Sequence, residues 1–254
     1  MPKPAAPTSW EEVADWYGKH LDEAGTLLAS VVYPGVMKLL APKTKGAYLD
    51  IACGEGAFMR LLATKTTSHV SGFDASPALI AKAKKLAPKH TAYAIADARA
   101  FSKLYPLNSF DGATCLLAIQ NIDEPEKAFQ EASKALRPEG TFVVVLNHPA
   151  FRIPGASSWG YEGNAKMYRR VDKYLSTLEI PIQAHPGSNP SVKTVSYHRP
   201  LSFYVNALAA ADLAVTGLEE WVSNRVSKPG ARSAAENVSR KEIPMFLAIK
   251  ATKL

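Results

Sequence analysis

Short apolar runs and amphipathic stretches alternate along the middle of the chain. Tyr48–Ile51 (YLDI) is mostly apolar and β-prone, which predicts a buried strand. A turn with two glycines follows it, and Ala57–Ala63 (AFMRLLA) then carries apolar residues at helical spacing. A strand, a glycine turn and a helix in this order form a ligand cradle at the carboxyl end of the strand. The pattern therefore predicts an α/β domain with a binding site at this corner.

Helical spacing of apolar residues extends to four other stretches. It predicts helices over 10–40, interrupted at Gly25 and Pro34-Gly35, and over 77–86, 125–136 and about 203–213. The segment 223–241 is basic and contains Pro229-Gly230, so we predict a loop there. The chain has no uninterrupted apolar run of about eighteen residues, so we predict no membrane-spanning helix.

The residues around the glycines distinguish between classes of ligand. A dinucleotide-binding turn would place a third glycine where this chain has Met59. Asp50 lies at the end of the strand, just before Gly54 and Gly56, and its carboxylate would repel a pyrophosphate on the turn. It suits a positively charged ligand, such as the ammonium and sulfonium groups of S-adenosylmethionine (SAM). A strand–helix corner without a ligand is the alternative interpretation.

The sequence D-x-A-C-G-x-G over residues 50–56 resembles motif I of the class I SAM-dependent methyltransferases. Further segments resemble that family in order: strands two to five over 69–74, 94–98, 110–117 and 141–146, and strands six and seven over 214–222 and 243–251. The resemblance implies an α/β fold with a Rossmann-like seven-stranded sheet. Strand seven would be antiparallel, helices would cover both faces, and an insertion would follow strand five.

The resemblance also implies which residues bind SAM. Asp74 would accept hydrogen bonds from the ribose hydroxyls, and Asp97 would contact the adenine amino group. In this family a tyrosine of the N-terminal helices often binds the carboxylate of SAM, which makes Tyr17 a candidate, while packing on the sheet explains Tyr17 equally well. The predicted cofactor-binding set is Tyr17, Asp50, Ala52, Gly54, Gly56, Asp74, Ala75, Asp97, Ala98, Leu116, Leu117 and Asn121.

The length of 254 residues fits a single domain with N-terminal cap helices over 1–45 and a substrate-lid insertion over 151–197. The insertion is rich in aromatic residues and prolines, and it emerges at the sheet edge where such folds bind substrates. A purely structural excursion is the alternative. Within the insertion, Tyr168–Tyr174 is interpreted either as an anion-binding segment or as an amphipathic helix with solvated charges.

His148 follows strand five and is the predicted general base, because imidazole titrates near neutral pH. A structural role is the alternative, and His185, Tyr197 and His198 are further candidates. A metal-assisted mechanism needs several oxygen ligands beside the cofactor, and Asn147 is the one candidate ligand there, so we predict no metal.

The net charge of +7 leaves the class of methyl acceptor open. Four lysines along one predicted helix (Lys82, Lys84, Lys85 and Lys89) are better explained as a solvated face than as an RNA-binding surface. We therefore predict a small-molecule acceptor with an oxygen, nitrogen or carbon nucleophile. RNA methylation is the alternative, and an NAD-dependent dehydrogenase or a non-catalytic SAM-binding sensor is more remote. Two cysteines and the absence of an apolar leader predict a cytoplasmic location.

Overall fold

The computed structural model describes residues 26–183 and 193–254. The strands are β1 (Tyr48–Ile51), β2 (Val70–Asp74), β3 (Thr91–Ile95), β4 (Phe110–Leu116), β5 (Leu136–Asn147), β6 (Ser157–Glu162), β7 (Lys166–Val171), β8 (Leu178–Gln183), β9 (Lys193–His198), β10 (Leu213–Trp221) and β11 (Phe246–Lys253). The α-helices are α1 (Tyr33–Leu40), α2 (Ala57–Leu62), α3 (Pro77–Lys85), α4 (Pro125–Ala135), α5 (Leu201–Ala209) and α6 (Ser233–Glu242). A π-helical turn (Leu28–Val32) precedes α1, and two 3₁₀ turns cover Ser102–Leu104 and Ile119–Asn121.

Seven strands form one sheet in the order β10-β11-β5-β4-β1-β2-β3. In this sheet β11 runs opposite in direction to the other six strands, and it pairs with β5 on one side and β10 on the other. The remaining four strands, β6 to β9, form two hairpins between β5 and α5. The predicted seven-stranded fold, with its antiparallel last strand and its insertion after strand five, is confirmed.

Both faces of the sheet are covered at its centre, which explains why the central strand β1 is buried at every position. Alternate residues of β1 belong to different cores: Leu49 and Ile51 pack in one apolar cluster and Tyr48 in the other. Asp50 is the polar exception in this strand, and it is buried, with 2% of its surface exposed. The strand order reverses between β1 and β4, and ligands of open α/β sheets bind beside such a point.

Two local predictions were wrong. The second half of the predicted loop 223–241 lies in α6 (Ser233–Glu242), and this helix buries only small residues, Ala235 and Ser239. Because small residues give no apolar pattern, the sequence carried no helix signal there. Of the two interpretations of Tyr168–Tyr174, the helix is wrong: residues 168–171 lie in strand β7, which begins at Lys166 and pairs with β6.

The helix predicted over 10–40 is described only from residue 26 onward. That described portion holds the π-helical turn and α1, whose side chains Val32, Val36 and Leu40 pack against the sheet. In residues 26–183 and 193–254, no helix combines the length and the apolar character that crossing a membrane requires.

Candidate functional site

A cavity of about 390 Å³ opens at the carboxyl ends of β1, β2 and β4. This is where the strand order reverses, and the volume lies in the range of small-molecule sites. Ten predicted cofactor-binding residues line it: Asp50, Ala52, Gly54, Asp74, Ala75, Asp97, Ala98, Leu116, Leu117 and Asn121. Gly56 does not line it, and Tyr17 and His185 lie outside the described residues.

Asp50 places a carboxyl group at the buried base of this cavity. Its Oδ1 accepts a hydrogen bond of 2.7 Å from the Thr114 hydroxyl on the neighbouring strand β4. Burial raises the pKa of Asp50 to about 7, the Thr114 hydrogen bond opposes this rise, and the nearby charge of Asp74 adds to it. A positively charged ligand would relieve this cost, because it favours the ionised carboxylate.

The glycine turn leaves open space where a side chain would stand. Gly54 has a left-handed backbone with φ of +56°, and no atom lies within 4 Å of the position of a Cβ built on it. Its N–H donates to Oδ2 of Asp74 at 2.9 Å, and Oδ1 of Asp74 accepts from the N–H of Ser76 at 2.9 Å. The turn and this carboxylate therefore hold each other in place at the cavity wall. Gly56 instead begins α2, and a Cβ on it would strike the Tyr93 ring at 2.6 Å.

An arginine missed by the sequence analysis joins the acids at the other end of the cavity. The Arg99 guanidinium contacts Asp97 at 2.6 Å and Asp123 at 2.7 Å, and all three residues line the cavity. Hydrogen bonding to Arg99 lowers the pKa of Asp97 against the opposing effect of burial. Because a paired carboxylate has a fixed orientation, Arg99 holds Asp97 in one position toward the cavity.

Residues far away in sequence complete the wall. Leu28 and Tyr33 come from the start of the described chain, while Val195 and Tyr197 come from β9. Within the described residues of the insertion, strand β9 is thus the part that reaches the cavity. The β6–β7 hairpin instead packs on α6, where the Ser239 hydroxyl donates to the Met167 carbonyl at 2.7 Å.

His148 does not line this cavity, and the structure gives it a different environment from the one we predicted. Its Nε2 lies 2.7 Å from a carboxylate oxygen of Glu220, and its Nδ1 accepts from the N–H of Ala150 at 3.2 Å. The imidazole is 3% exposed, and burial lowers its pKa although Glu220 opposes this. With both ring nitrogens engaged inside the protein, the geometry supports a structural role. Its catalytic role stays a prediction without geometric support.

We expect His148→Gln to lower the free energy of unfolding by about 1 to 2 kcal/mol and to leave SAM affinity unchanged, because it removes a buried hydrogen-bond acceptor away from the cavity. Burial holds the folded-state pKa of His148 below its ordinary 6.5, so protonation favours the unfolded chain. The difference in free energy of unfolding between wild type and His148→Gln should therefore shrink as pH falls below 6.5. Urea unfolding at several pH values and calorimetry with SAM measure both effects, with the exposed His90→Gln as control. A loss of SAM affinity would contradict this assignment.

The two arginines of the segment 168–174, for which anion binding was one interpretation, contact other groups of the protein. Arg169 donates to the Phe151 carbonyl and to the Ser157 hydroxyl, both at 2.7 Å, and Arg170 pairs with Asp172 at 2.9 Å. Cys53 and Cys115 are free thiols. Among the residues that the structure describes, no three His, Cys, Asp or Glu side chains are grouped to hold a metal ion, and the absence of a metal stays a prediction.

Parts of this chain resemble known proteins. A family model described as "Methyltransferase domain" matches residues 49–144. The ubiquinone/menaquinone biosynthesis C-methyltransferase UbiE of Roseobacter denitrificans is 30% identical over 128 residues, which cover 46% of this chain and 50% of the relative. Its counterpart in Methylobacterium nodulans is 33% identical over 111 residues, covering 42% and 44%. The chain thus spans about half the length of the curated relatives that it matches.

A solved structure resembles a larger part of the chain. An S-adenosylmethionine dependent methyltransferase from Mesorhizobium loti superposes with a TM-score of 0.70 at 27% identity. The match covers 90% of this chain and 99% of that protein. The shared fold therefore extends beyond the segment that the family model matches.

Proposed function

We propose that this chain, whose matched domain and fold are those of a class I SAM-dependent methyltransferase, transfers the methyl group of SAM to a small molecule. The observation that carries the proposal is the composition of the cavity. It combines a glycine turn with open space, a buried acid at its base and further acids along its wall. Such a lining fits a ligand with cationic groups and disfavours one that carries a pyrophosphate.

The residues that would hold SAM follow from the cavity. Asp50 and the Gly54 turn would face its cationic end, Asp74 its ribose hydroxyls and Asp97 its adenine. When bound, SAM supplies an electrophilic methyl group that needs no further activation. The protein would contribute orientation and exclusion of water, because aligning a nucleophile with a fixed methyl group removes much of the entropic barrier.

The methyl acceptor would enter beside the hairpin β8–β9. Val195 and Tyr197 of β9 line the cavity, and the Tyr197 hydroxyl can donate a hydrogen bond to an acceptor there. The matched family segment ends at residue 144, before the insertion begins. We therefore do not assign the carbon methylation of the relatives to this chain, and the proposal includes oxygen, nitrogen and carbon as the methyl-accepting atom.

RNA methylation is the second candidate, and the basic charge of the chain is what favours it. Lys84 and Lys85 are exposed on α3, while Leu79, Ile80 and Ala83 of the same helix are buried. This helix contacts β2 and β3, at the opposite edge of the sheet from β10. A basic helix with a solvated outer face explains the same lysines without RNA.

Two measurements on the full chain test the proposal. Calorimetry should show binding of SAM and none of NADH, because of the acidic lining. The protein is then incubated with SAM labelled in its methyl group and with two fractions of a bacterial extract, one of low molecular mass and one of total RNA. We expect label in low-mass products. Label in RNA would favour the second candidate, binding without any labelled product would indicate a sensor, and NADH binding without SAM binding would overturn the proposal.

A further inference from the structure

A second, much smaller cavity lies next to the first. It has a volume of about 20 Å³ and is bounded by the residues that follow β5, by Gln120 and by residues 196–199 at the end of β9. Tyr197 lines both cavities, so they adjoin at this side chain. The space is close to what one water molecule requires, so it can take only a small terminal group of a larger molecule.

Positive charge is concentrated at this second cavity. Two arginines, Arg152 and Arg199, line it, and its lining in the described part of the chain contains no Asp or Glu. Arg199 is 5% exposed, donates to the backbone carbonyls of Ile122 and Asp123, and lies over the Tyr197 ring at 5.1 Å. Its charge therefore has carbonyl partners and no carboxylate partner among the described residues.

Arg152 is the more unusual of the two arginines. It is half-buried, and no hydrogen bond or ion pair of its guanidinium is found among the described residues. Burial alone lowers the pKa of Arg152, whereas the pKa of Arg169 is lowered first by burial and then by the charge of Arg152. Withdrawing a guanidinium from water without an acid beside it is unfavourable, so an anion that entered this cavity would be stabilised.

The backbone that carries Arg152 is held in place. The carbonyl of His148 accepts from the N–H groups of Phe151 and Arg152, at 3.2 and 2.8 Å, and the His148 ring is fixed by Glu220 and Ala150. Gln120 adds an amide whose Nε2 donates to the Leu117 carbonyl, while its buried Oε1 has no partner among the described residues. Gln120 Oε1 is an acceptor and would not bind an anion, so Arg152 is the group bordering this cavity, among the described residues, whose charge a bound anion would satisfy.

We infer that this second cavity binds an oxyanion of the methyl acceptor, a carboxylate or a phosphate monoester, with Arg152 as its principal ligand. The inference rests on the proposed function, since it assigns the substrate class of the same site. An oxygen of the anionic group would enter the second cavity, and the rest of the acceptor would extend past Tyr197 toward the larger cavity. Guanidinium groups suit this task because their N–H donors match the spacing of carboxylate and phosphate oxygens.

Direct binding of simple probes tests the inference. Benzoate, phenyl phosphate and the neutral benzamide are titrated into the full chain, with and without S-adenosylhomocysteine, and binding is followed by ligand-observed NMR. We expect the two anions to bind roughly tenfold or more tightly than benzamide. Arg152→Gln should abolish this preference and Arg152→Lys should weaken it. Arg170→Gln, on the exposed side of β7, should retain it.

The relative affinity of benzoate and phenyl phosphate identifies which oxyanion the cavity prefers, and a preference for either supports the inference. Equal binding of anions and benzamide, or an anion preference that survives in Arg152→Gln, would overturn it. SAM calorimetry on the same samples separates this result from the proposed function. If the wild-type protein binds SAM without preferring anions, the proposed function stands and the anion subsite is overturned. If it prefers anions but does not bind SAM, the subsite stands and the proposed function is overturned.

Discussion

Replacing Asp50 by Asn should weaken SAM binding by roughly 10- to 100-fold, the effect of losing one charge-assisted contact in a buried site. The wild-type affinity should also rise with pH up to about 7, the pKa to which burial raises Asp50, because a cationic ligand selects the ionised carboxylate. Below that pH we expect about a tenfold loss of affinity for each unit of pH. Calorimetry between pH 5.5 and 7.5 measures both effects, and the variant should show no such slope.

The same substitution should stabilise the protein in the absence of ligand. The folded-state pKa of Asp50 lies above its ordinary value of 3.8, so its contribution to stability is fully present below that value and is lost as pH rises through about 7. At pH 8 the Asn variant should therefore be more stable than wild type, by on the order of 3 kcal/mol, and the gain should fade toward pH 4.

Asp111→Asn is the matched control for Asp50→Asn. Asp111 lies near the amino end of β4, away from the cavity, and its Oδ2 accepts from the N–H of Ala47 at 2.8 Å and pairs with Arg137 at 2.7 Å. Hydrogen bonds and the charge of Arg137 lower the pKa of Asp111 although burial opposes them. This variant should lose stability and keep SAM affinity. Equal SAM affinities of the Asp50 variant and wild type would remove the basis for a cationic ligand.

The sequence predicted the part of the site that a short segment encodes. β1, its glycines and Asp50 are adjacent in the chain, so their arrangement follows from local geometry and from the burial of an apolar strand. α3 is similar: Ser76 caps it by accepting from the N–H of Leu79, and Pro77 occupies its first turn, as the sequence indicated. Signals of this kind need no knowledge of the tertiary structure.

The missed features depend on residues that are distant in sequence. Glu220 is 72 positions from His148, and nothing near His148 shows that its Nε2 is already occupied. Arg152 follows the end of β5 without any pattern, and the role we propose for it depends on a folded cavity whose described lining contains no acid. Exposed and half-buried residues alternate along β7, but its charged residues are equally typical of a solvated helix. Pairing with β6 gives this segment the two-residue period of a strand. Ends of strands also shifted: β3 begins at Thr91 and β11 ends at Lys253.

Gly54→Ala should reduce SAM affinity by roughly 10- to 100-fold, the cost of placing one methyl group in space that a ligand must fill. The position of its Cβ is free of protein atoms within 4 Å, and Gly54 lines the cavity, so the added atom competes with the ligand rather than with the fold. The left-handed backbone, with φ of +56°, should cost about 1 to 2 kcal/mol of stability. Calorimetry with SAM and urea unfolding measure the two effects.

Gly155→Ala is the control that separates the stability cost of a left-handed backbone from the loss of SAM affinity caused by filling the cavity. Gly155 has φ of +70°, its Cβ position is equally open, and it does not line the cavity. We expect this control to lose a similar amount of stability while binding SAM as wild type does. If both alanine variants lost SAM affinity equally, the effect would come from general destabilisation. If neither variant lost SAM affinity, SAM would not approach the Gly54 turn, and the acidic cavity beside it would have to bind a different ligand.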